Sequence, residues 1–381
     1  MNIKSLLLGS AAALAVVSGA QAADAIVAAE PEAVEYVKVC DAYGTGYFYI
    51  PGTETCLKIA GYIRFDAGFG FGDAYDNNGG QDWADHTRAE LSFDTKSDTE
   101  YGTLTGRIAL QGNYNGATIP TSGITGGAST TIGTEGNSVI IDEAYLELGG
   151  FRAGKFASWW DNDFTGESDK MSNNTNFNAV RYTYDAGDFY AGLALEELGG
   201  IDGRTITLPD GTTVVSPATS LDNNSLGIDA SVGGKFGAFT WQVYGGYSQR
   251  EEEGAVTARM SADIGPGTLE GAVVWSSGLN SETFTNNYDQ TGEWTFVAEY
   301  QLKATDKLTI TPEVQYTANI IPDANGNWDT GHMWRAGATM DYKIVDNLST
   351  RVSATYVNEN YGNAGGSADW VEGFFRLQRD F

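Results

Sequence analysis

"LKIAGYIRFDAGF", residues 57–69, alternates along its whole length. Leu57, Ile59, Gly61, Ile63, Phe65, Ala67 and Phe69 fall on one side of an extended chain, and Lys58, Ala60, Tyr62, Arg64, Asp66 and Gly68 on the other. Successive side chains of a strand point to opposite faces, so a period of two separates an apolar face from a polar one. The same division recurs in "TRAELSFDTK" (87–96), "FTWQVYGGY" (239–247) and "EWTFVAEYQL" (293–302). Runs of this length match the ~9–11 residues with which a tilted strand crosses a bilayer. The chain closes on "WVEGFFRLQRDF" (370–381), with Val371, Gly373, Phe375, Leu377, Arg379 and Phe381 on the apolar face.

Sixteen such segments can be read, beginning near residues 57, 87, 102, 139, 151, 179, 188, 224, 238, 255, 268, 293, 307, 332, 348 and 370. Short turns such as "GG" (149–150), "GPG" (265–267) and "VDN" (345–347) interleave with long polar stretches near 70–86, 112–137, 157–178, 199–223, 276–292, 318–331 and 358–369. Only "QREEEG" (249–254) is short where a long loop is due. A β-sandwich or a solenoid also alternates, but its connections vary without order. Strict interleaving predicts an up-and-down meander, an all-β fold in the form of a sixteen-stranded antiparallel transmembrane β-barrel over residues 57–381. An apolar strand at a sheet edge invites aggregation. Pairing the last strand with the first removes that edge.

Residues 1–22 carry Lys4, the apolar run "LLLGSAAALAVVSGA" and the small-residue ending Ala20-Gln21-Ala22, the pattern of a cleaved signal peptide. The mature chain then begins at Ala23. The whole sequence holds 50 acids against 22 bases, a formal charge of −28; losing Lys4 with the leader takes it to −29. Such a balance argues against nucleic acid as a partner, whose phosphates need a basic face. The two cysteines, Cys40 and Cys56, lie in the segment 23–56, which precedes the barrel. In an oxidising compartment they are expected to form a disulfide, contributing roughly 3 kcal/mol on chain-entropy grounds. Their spacing does not fit a C-x-x-C redox pair.

Parity places Lys58, Arg64, Arg88 and Arg107 on the polar face of the first three strands. Arg64, Arg88 and Arg107 can stack into a basic wall, which needs water or acids beside it. Asp66, Glu90 and Asp94 share those strands. Of the bases further along, Arg259, Arg335, Arg351 and Arg376, pairing with Asp263, Glu299, Asp341 and Glu372 is expected. Catalysis finds little support. The two histidines, His86 and His332, stand alone in or beside loops, and there is no Cys/His metal cluster, phosphate loop or dinucleotide fingerprint. No cofactor or resident metal is expected. Asp73, Asp76, Asp82 and Asp85 in and beside the first long loop are either solvated or weak oxygen ligands for Ca²⁺ or Mg²⁺.

"KVCDAYGTGYFYIPGTETCLKIAGYIRFD" (38–66), "DEAYLELGGFRAGKFASWWD" (142–161), "YTYDAG" (182–187) and "GFFRLQRDF" (373–381) together resemble the general-diffusion outer-membrane porins of alphaproteobacteria such as brucellae and rhizobia. The resemblance runs the length of the mature chain. It implies a homotrimer of sixteen-stranded barrels in the bacterial outer membrane, each a water-filled pore narrowed by an inward-folded third external loop. A terminal aromatic such as Phe381 resembles the mark by which such barrels are recognised for insertion; Arg379, two places earlier, departs from it. Here the third long loop is "ASWWDNDFTGESDKMSNNTNF" (157–177), with Asp161, Asp163, Glu167 and Asp169 against a single Lys170. Folded inward, those acids would face the arginine wall across the narrowest point, and charged rings there set ion selectivity. The expected function is passive diffusion of small hydrophilic solutes and ions with a mild cation preference, from a protein set among lipid and lipopolysaccharide that divalent cations bridge. A solute-specific channel would need an aromatic track along the lumen. The inward aromatics Tyr62, Tyr145, Tyr190, Tyr244 and Phe374 are scattered instead. An outer-membrane enzyme or an adhesin is the remaining alternative.

Overall fold

Every alternating segment is a strand. The computed structural model describes residues 37–76, 82–115, 139–171, 176–198, 205–207, 213–215, 225–250, 252–278, 292–323 and 327–381. The expected signal peptide lies outside them. Residues Val39–Phe381 form one compact unit. Its long strands are β1 Cys56–Gly72, β2 Trp83–Thr99, β3 Gly102–Asn115, β4 Val139–Leu148, β5 Phe151–Ala157, β6 Asn176–Asp185, β7 Phe189–Leu198 and β8 Ser225–Phe236. The second half continues with β9 Phe239–Ser248, β10 Glu253–Ile264, β11 Gly267–Ser276, β12 Trp294–Lys303, β13 Leu308–Pro322, β14 Trp328–Val345, β15 Leu348–Asn360 and β16 Ser367–Asp380.

Each strand pairs antiparallel with the next, and β16 returns to β1 in the register Val371↔Phe71, Leu377↔Phe65, Asp380↔Tyr62. The sheet is closed. The final residue completes the seam: Phe381 N–H donates to the Gly61 carbonyl at 3.0 Å, and Gly61 N–H donates back to the Phe381 carbonyl at 3.1 Å. Arg379, on the apolar face, turns to the barrel end and donates to the backbone carbonyls of Asn347 and Asp380. Its charge thereby leaves the lipid-facing band, as snorkelling side chains do.

The distribution of polarity is inverted relative to a soluble domain. Ile59, Ile63, Val256, Phe296 and Phe375 are exposed on the outside, whereas Ser231, Thr257, Gln315, Thr339 and Glu359 are buried within. An apolar outer band around a polar interior is what hydrocarbon outside and water inside select. No described helix is long and apolar enough to cross a membrane; this chain crosses with strands.

Tight turns join β2 to β3, β4 to β5 and the later pairs at one barrel end. Between β4 and β5 the turn is Gly149–Gly150, with φ of +58° and +83°. Two successive positive φ values are what a two-residue primed hairpin turn demands, and glycine adopts them without strain. At the opposite end the stretch expected as a loop at 318–331 is largely strand, because β13 runs to Pro322 and β14 starts at Trp328. The reason is packing. Ile320, Ile321 and Met333 bury with Val357, Tyr361, Trp370 and with Ala74 and Tyr75 of the short helix Asp73–Asp76, so the hairpin continues beyond the barrel.

Before β1, the two-residue strand Phe48–Tyr49 pairs with the first residues of β1 in the register Phe48↔Leu57 and Tyr49↔Cys56. Cys40 and Cys56 are disulfide-bonded, with Cα atoms 6.0 Å apart, and bury with Tyr47. Tyr43 donates its hydroxyl to Asp98 at 2.7 Å, and that bond pushes its ionisation up to about 12. Residues 39–56 are thus stapled and bonded onto the tight-turn end of β1 and β2.

Candidate pore constriction

The β5–β6 connection is the third long one, and its described part, residues 158–171, is held by side chains from strands far around the barrel. Its start is anchored by bulk. Trp160 is buried edge-on against Tyr244 of β9 at 5.0 Å between ring centroids, and Arg181 of β6 lies 4.1 Å above the Trp159 ring. Ser158 donates to Asp229 of β8 at 3.1 Å. Further on, Phe164 buries against Ala272 and Val297 beneath the Arg259 guanidinium, which donates to the carbonyls of Asn162 at 2.6 Å and Asp163 at 2.9 Å.

The middle of the segment has few partners of its own, so the wall supplies them. Glu299 of β12 accepts the N–H groups of Thr165 at 3.1 Å and Gly166 at 2.7 Å. Glu313 of β13 accepts that of Ser168 at 2.7 Å, Thr339 of β14 that of Glu167 at 2.9 Å, and Gln315 of β13 that of Lys170 at 2.9 Å. Arg335 of β14 donates to the Ser168 carbonyl at 2.7 Å. Buried backbone groups must find partners, and here lumen-facing side chains take the place of a second strand. A Cβ at Gly166 would lie 2.3 Å from Glu313 Oε2 and 2.8 Å from Glu299 Oε2, so a side chain there forces the two carboxylates that hold the segment to shift.

The four loop acids have separate positions. Glu167 reaches two arginines at once, Arg351 of β15 and Arg376 of β16, the latter at 3.4 Å. Asp169 meets Glu313 carboxyl to carboxyl. Asp163 is exposed and Asp161 half-buried. The three arginines of the basic wall also divide. Arg64 and Arg88 stand directly opposite each other on β1 and β2. Arg64 Nε donates to the Gln378 amide oxygen at 3.0 Å, and Arg88 Nε to that of Asn113 at 2.7 Å. Arg107 is enclosed by two carboxylates, Asp94 at 3.0 Å and Glu143. Thus the loop acid that meets arginine does so on β15 and β16, next to the expected wall. Of the acids expected to pair with the bases further round, Asp341 does so with Arg351 and Glu372 with Arg335; Arg259 binds Glu270, and Arg376 binds Asp66. Among the described residues no group of three or more His, Cys, Asp or Glu is placed to hold a metal ion, and the first loop from 77 to 81 lies outside them.

Two of the residues that hold the loop, Glu299 and Glu313, are inward carboxylates on strands of alternating polarity. Their register carried a signal. Glu270, Glu299 and Glu313 occupy one rung of β11, β12 and β13, each directly opposite the next. Like charges on one rung are unfavourable unless something else needs them; the loop backbone needs two of the three.

A closed sixteen-stranded barrel with an apolar exterior, a polar interior and a segment bonded to its inner wall defines a membrane channel. The chain matches the Porin subfamily over residues 24–373. It is 44% identical over 378 residues to outer membrane protein IIIA of Rhizobium leguminosarum bv. viciae, covering 98% of this chain and 93% of that protein. It is 37% identical over 399 residues to the porin Omp2b of Brucella neotomae, covering all of both chains. Among solved structures, the outer-membrane channel DcaP of Acinetobacter baumannii superposes with a TM-score of 0.58 at 14% identity, covering 87% of this chain and 99% of that one. The chain therefore belongs to the Porin subfamily: it is a multi-pass outer-membrane channel protein and not an enzyme.

Proposed function

We propose that this porin passes small hydrophilic solutes and ions by passive diffusion, with a mild cation preference, and that segment 158–171 narrows its pore. The observation that carries the reading is the set of five backbone N–H bonds from Thr165, Gly166, Glu167, Ser168 and Lys170 to lumen-facing side chains of β12, β13 and β14. A segment so bonded occupies cross-section that an empty barrel would leave to water. On this reading Asp161, Asp163, Glu167 and Asp169 belong to the constriction and Arg64, Arg88 and Arg107 to the basic wall, with Arg351 and Arg376 facing the loop directly. The excess of acids concentrates cations at the mouths, an effect that salt screens over ~10 Å at 0.1 M. The functional unit is a homotrimer whose outer band meets lipid and lipopolysaccharide, with divalent cations bridging to the acids of the first loop. Reversal potentials across a KCl gradient test the selectivity: a cation preference that declines with salt supports the reading, and an anion preference at low salt overturns it.

A further inference from the structure

The described strands contain three rungs on which arginine stands opposite arginine, and they are treated differently. On β5 and β6, Arg152 pairs in register with Arg181, and each has its own carboxylate, Glu147 and Glu196. On β15 and β16, Arg351 pairs in register with Arg376. Like charges directly opposite destabilise a sheet. Here Glu167 lies across the pair and touches both guanidinium groups, while Asp341 and Asp66 flank it on the neighbouring strands. That rung is compensated from within the chain.

On β1 and β2, Arg64 pairs in register with Arg88. The rung is Gln378, Arg64, Arg88, Asn113, two neutral amides around two cations. Each amide accepts from an arginine Nε; Arg88 also bonds the Tyr62 side chain, and the other terminal guanidinium nitrogens remain as donors. Neither arginine forms an ion pair with any described carboxylate. By contrast Arg107, Arg152, Arg181, Arg259, Arg335, Arg351 and Arg376, the other inward arginines of the described strands, each have one. The Tyr62 ring lies 4.7 Å beneath the Arg64 guanidinium and limits its rotation. Two oriented forks on one rung, neither in an ion pair with a described carboxylate, form a fixed receptor for an oxyanion.

We infer that Arg64 and Arg88 form a binding site for the oxyanion group of a passing solute, a phosphate or a carboxylate, which bridges the two guanidinium groups as Glu167 bridges Arg351 and Arg376. The inference rests on the pore reading above and extends it. Entry to the mouths favours cations, while anionic solutes that do enter are retained briefly at this rung, so their flux saturates.

The test is single-channel recording in KCl with inorganic phosphate added to both sides, and potassium acetate in a parallel series, at constant ionic strength. Both anions are expected to lower the conductance saturably, and the ratio of their half-effect concentrations says whether phosphate or carboxylate is preferred. Arg64→Gln and Arg88→Gln should each raise the half-effect concentration at least about tenfold, the scale of one charge-assisted hydrogen bond lost. Gln378→Glu should do the same by supplying a carboxylate from the chain. Arg152→Gln, whose arginine is paired with Glu147, should leave the half-effect concentration unchanged. Removing one of two opposed charges relieves repulsion, so the Arg64→Gln and Arg88→Gln barrels should melt no lower than the parent. An ohmic channel indifferent to both anions, or one equally sensitive after Arg64→Gln and Arg88→Gln, overturns the site while the pore stands. The absence of any conductance overturns the pore reading itself and the site with it.

Discussion

Neutralising Glu167 should change ion selectivity. Glu167 carries a full charge beside the pore, since its partners are two arginines. An ion passing about 6 Å away through water interacts with that charge by about 0.7 kcal/mol. Screening at 0.1 M reduces this to about 0.4 kcal/mol, a factor of about 2 in local ion concentration. Glu167→Gln then halves the local cations and doubles the anions, lowering the cation-to-anion permeability ratio about fourfold. Reversal potential across a tenfold KCl gradient reads the variant. No shift from Glu167→Gln would refute this assignment of charge.

Glu299→Ala removes the acceptor of two loop N–H groups, each costing ~1–3 kcal/mol when left unmade; the loop should loosen, and the open-channel current of single barrels should become larger and noisier. Gly166→Val is expected to act in the same direction through the 2.3 Å and 2.8 Å approaches to Glu313 and Glu299, and an unchanged current would count against the close packing described. Cys40→Ser with Cys56→Ser should speed proteolysis within residues 39–56 while the barrel keeps its melting temperature, because the staple closes only that lobe. Deleting Phe381 removes two seam hydrogen bonds and should lower the thermal midpoint of the folded barrel, measured by heat-dependent gel mobility; an unaltered midpoint would mean that the seam is closed without it.

Strands were legible because alternation is local: Ile59, Ile63 and Phe65 declare their face from neighbours two residues away, and exposure of all three agrees. The closing strand was legible for the same reason, down to the outward Phe375 and Leu377. What parity does not reveal is which inward residues meet across the lumen. Gly166 and Glu299 are 133 residues apart, and no local pattern links them. Arg107 shows a second limit. Asp94 could be placed beside it by parity, and Glu143 shares the inward parity of Tyr145. What parity leaves open is the β3–β4 register, which sets Arg107 opposite Tyr145 and diagonal to Glu143. The extension of β13 and β14 beyond the barrel was hidden likewise, since Ile320 and Met333 are buried by the helix Asp73–Asp76 and its neighbours rather than by their own strand.

The central claim is a closed, water-filled channel narrowed by the segment bonded to its inner wall. It is tested most directly by comparing single-channel steps of the parent with those of a variant whose residues 162–170 are replaced by a short Gly-Ser link, in planar bilayers under the same KCl concentration. The account predicts discrete ohmic steps from the parent and clearly larger ones from the variant. A parent that yields no steps, or a variant whose steps are the same size, would contradict it.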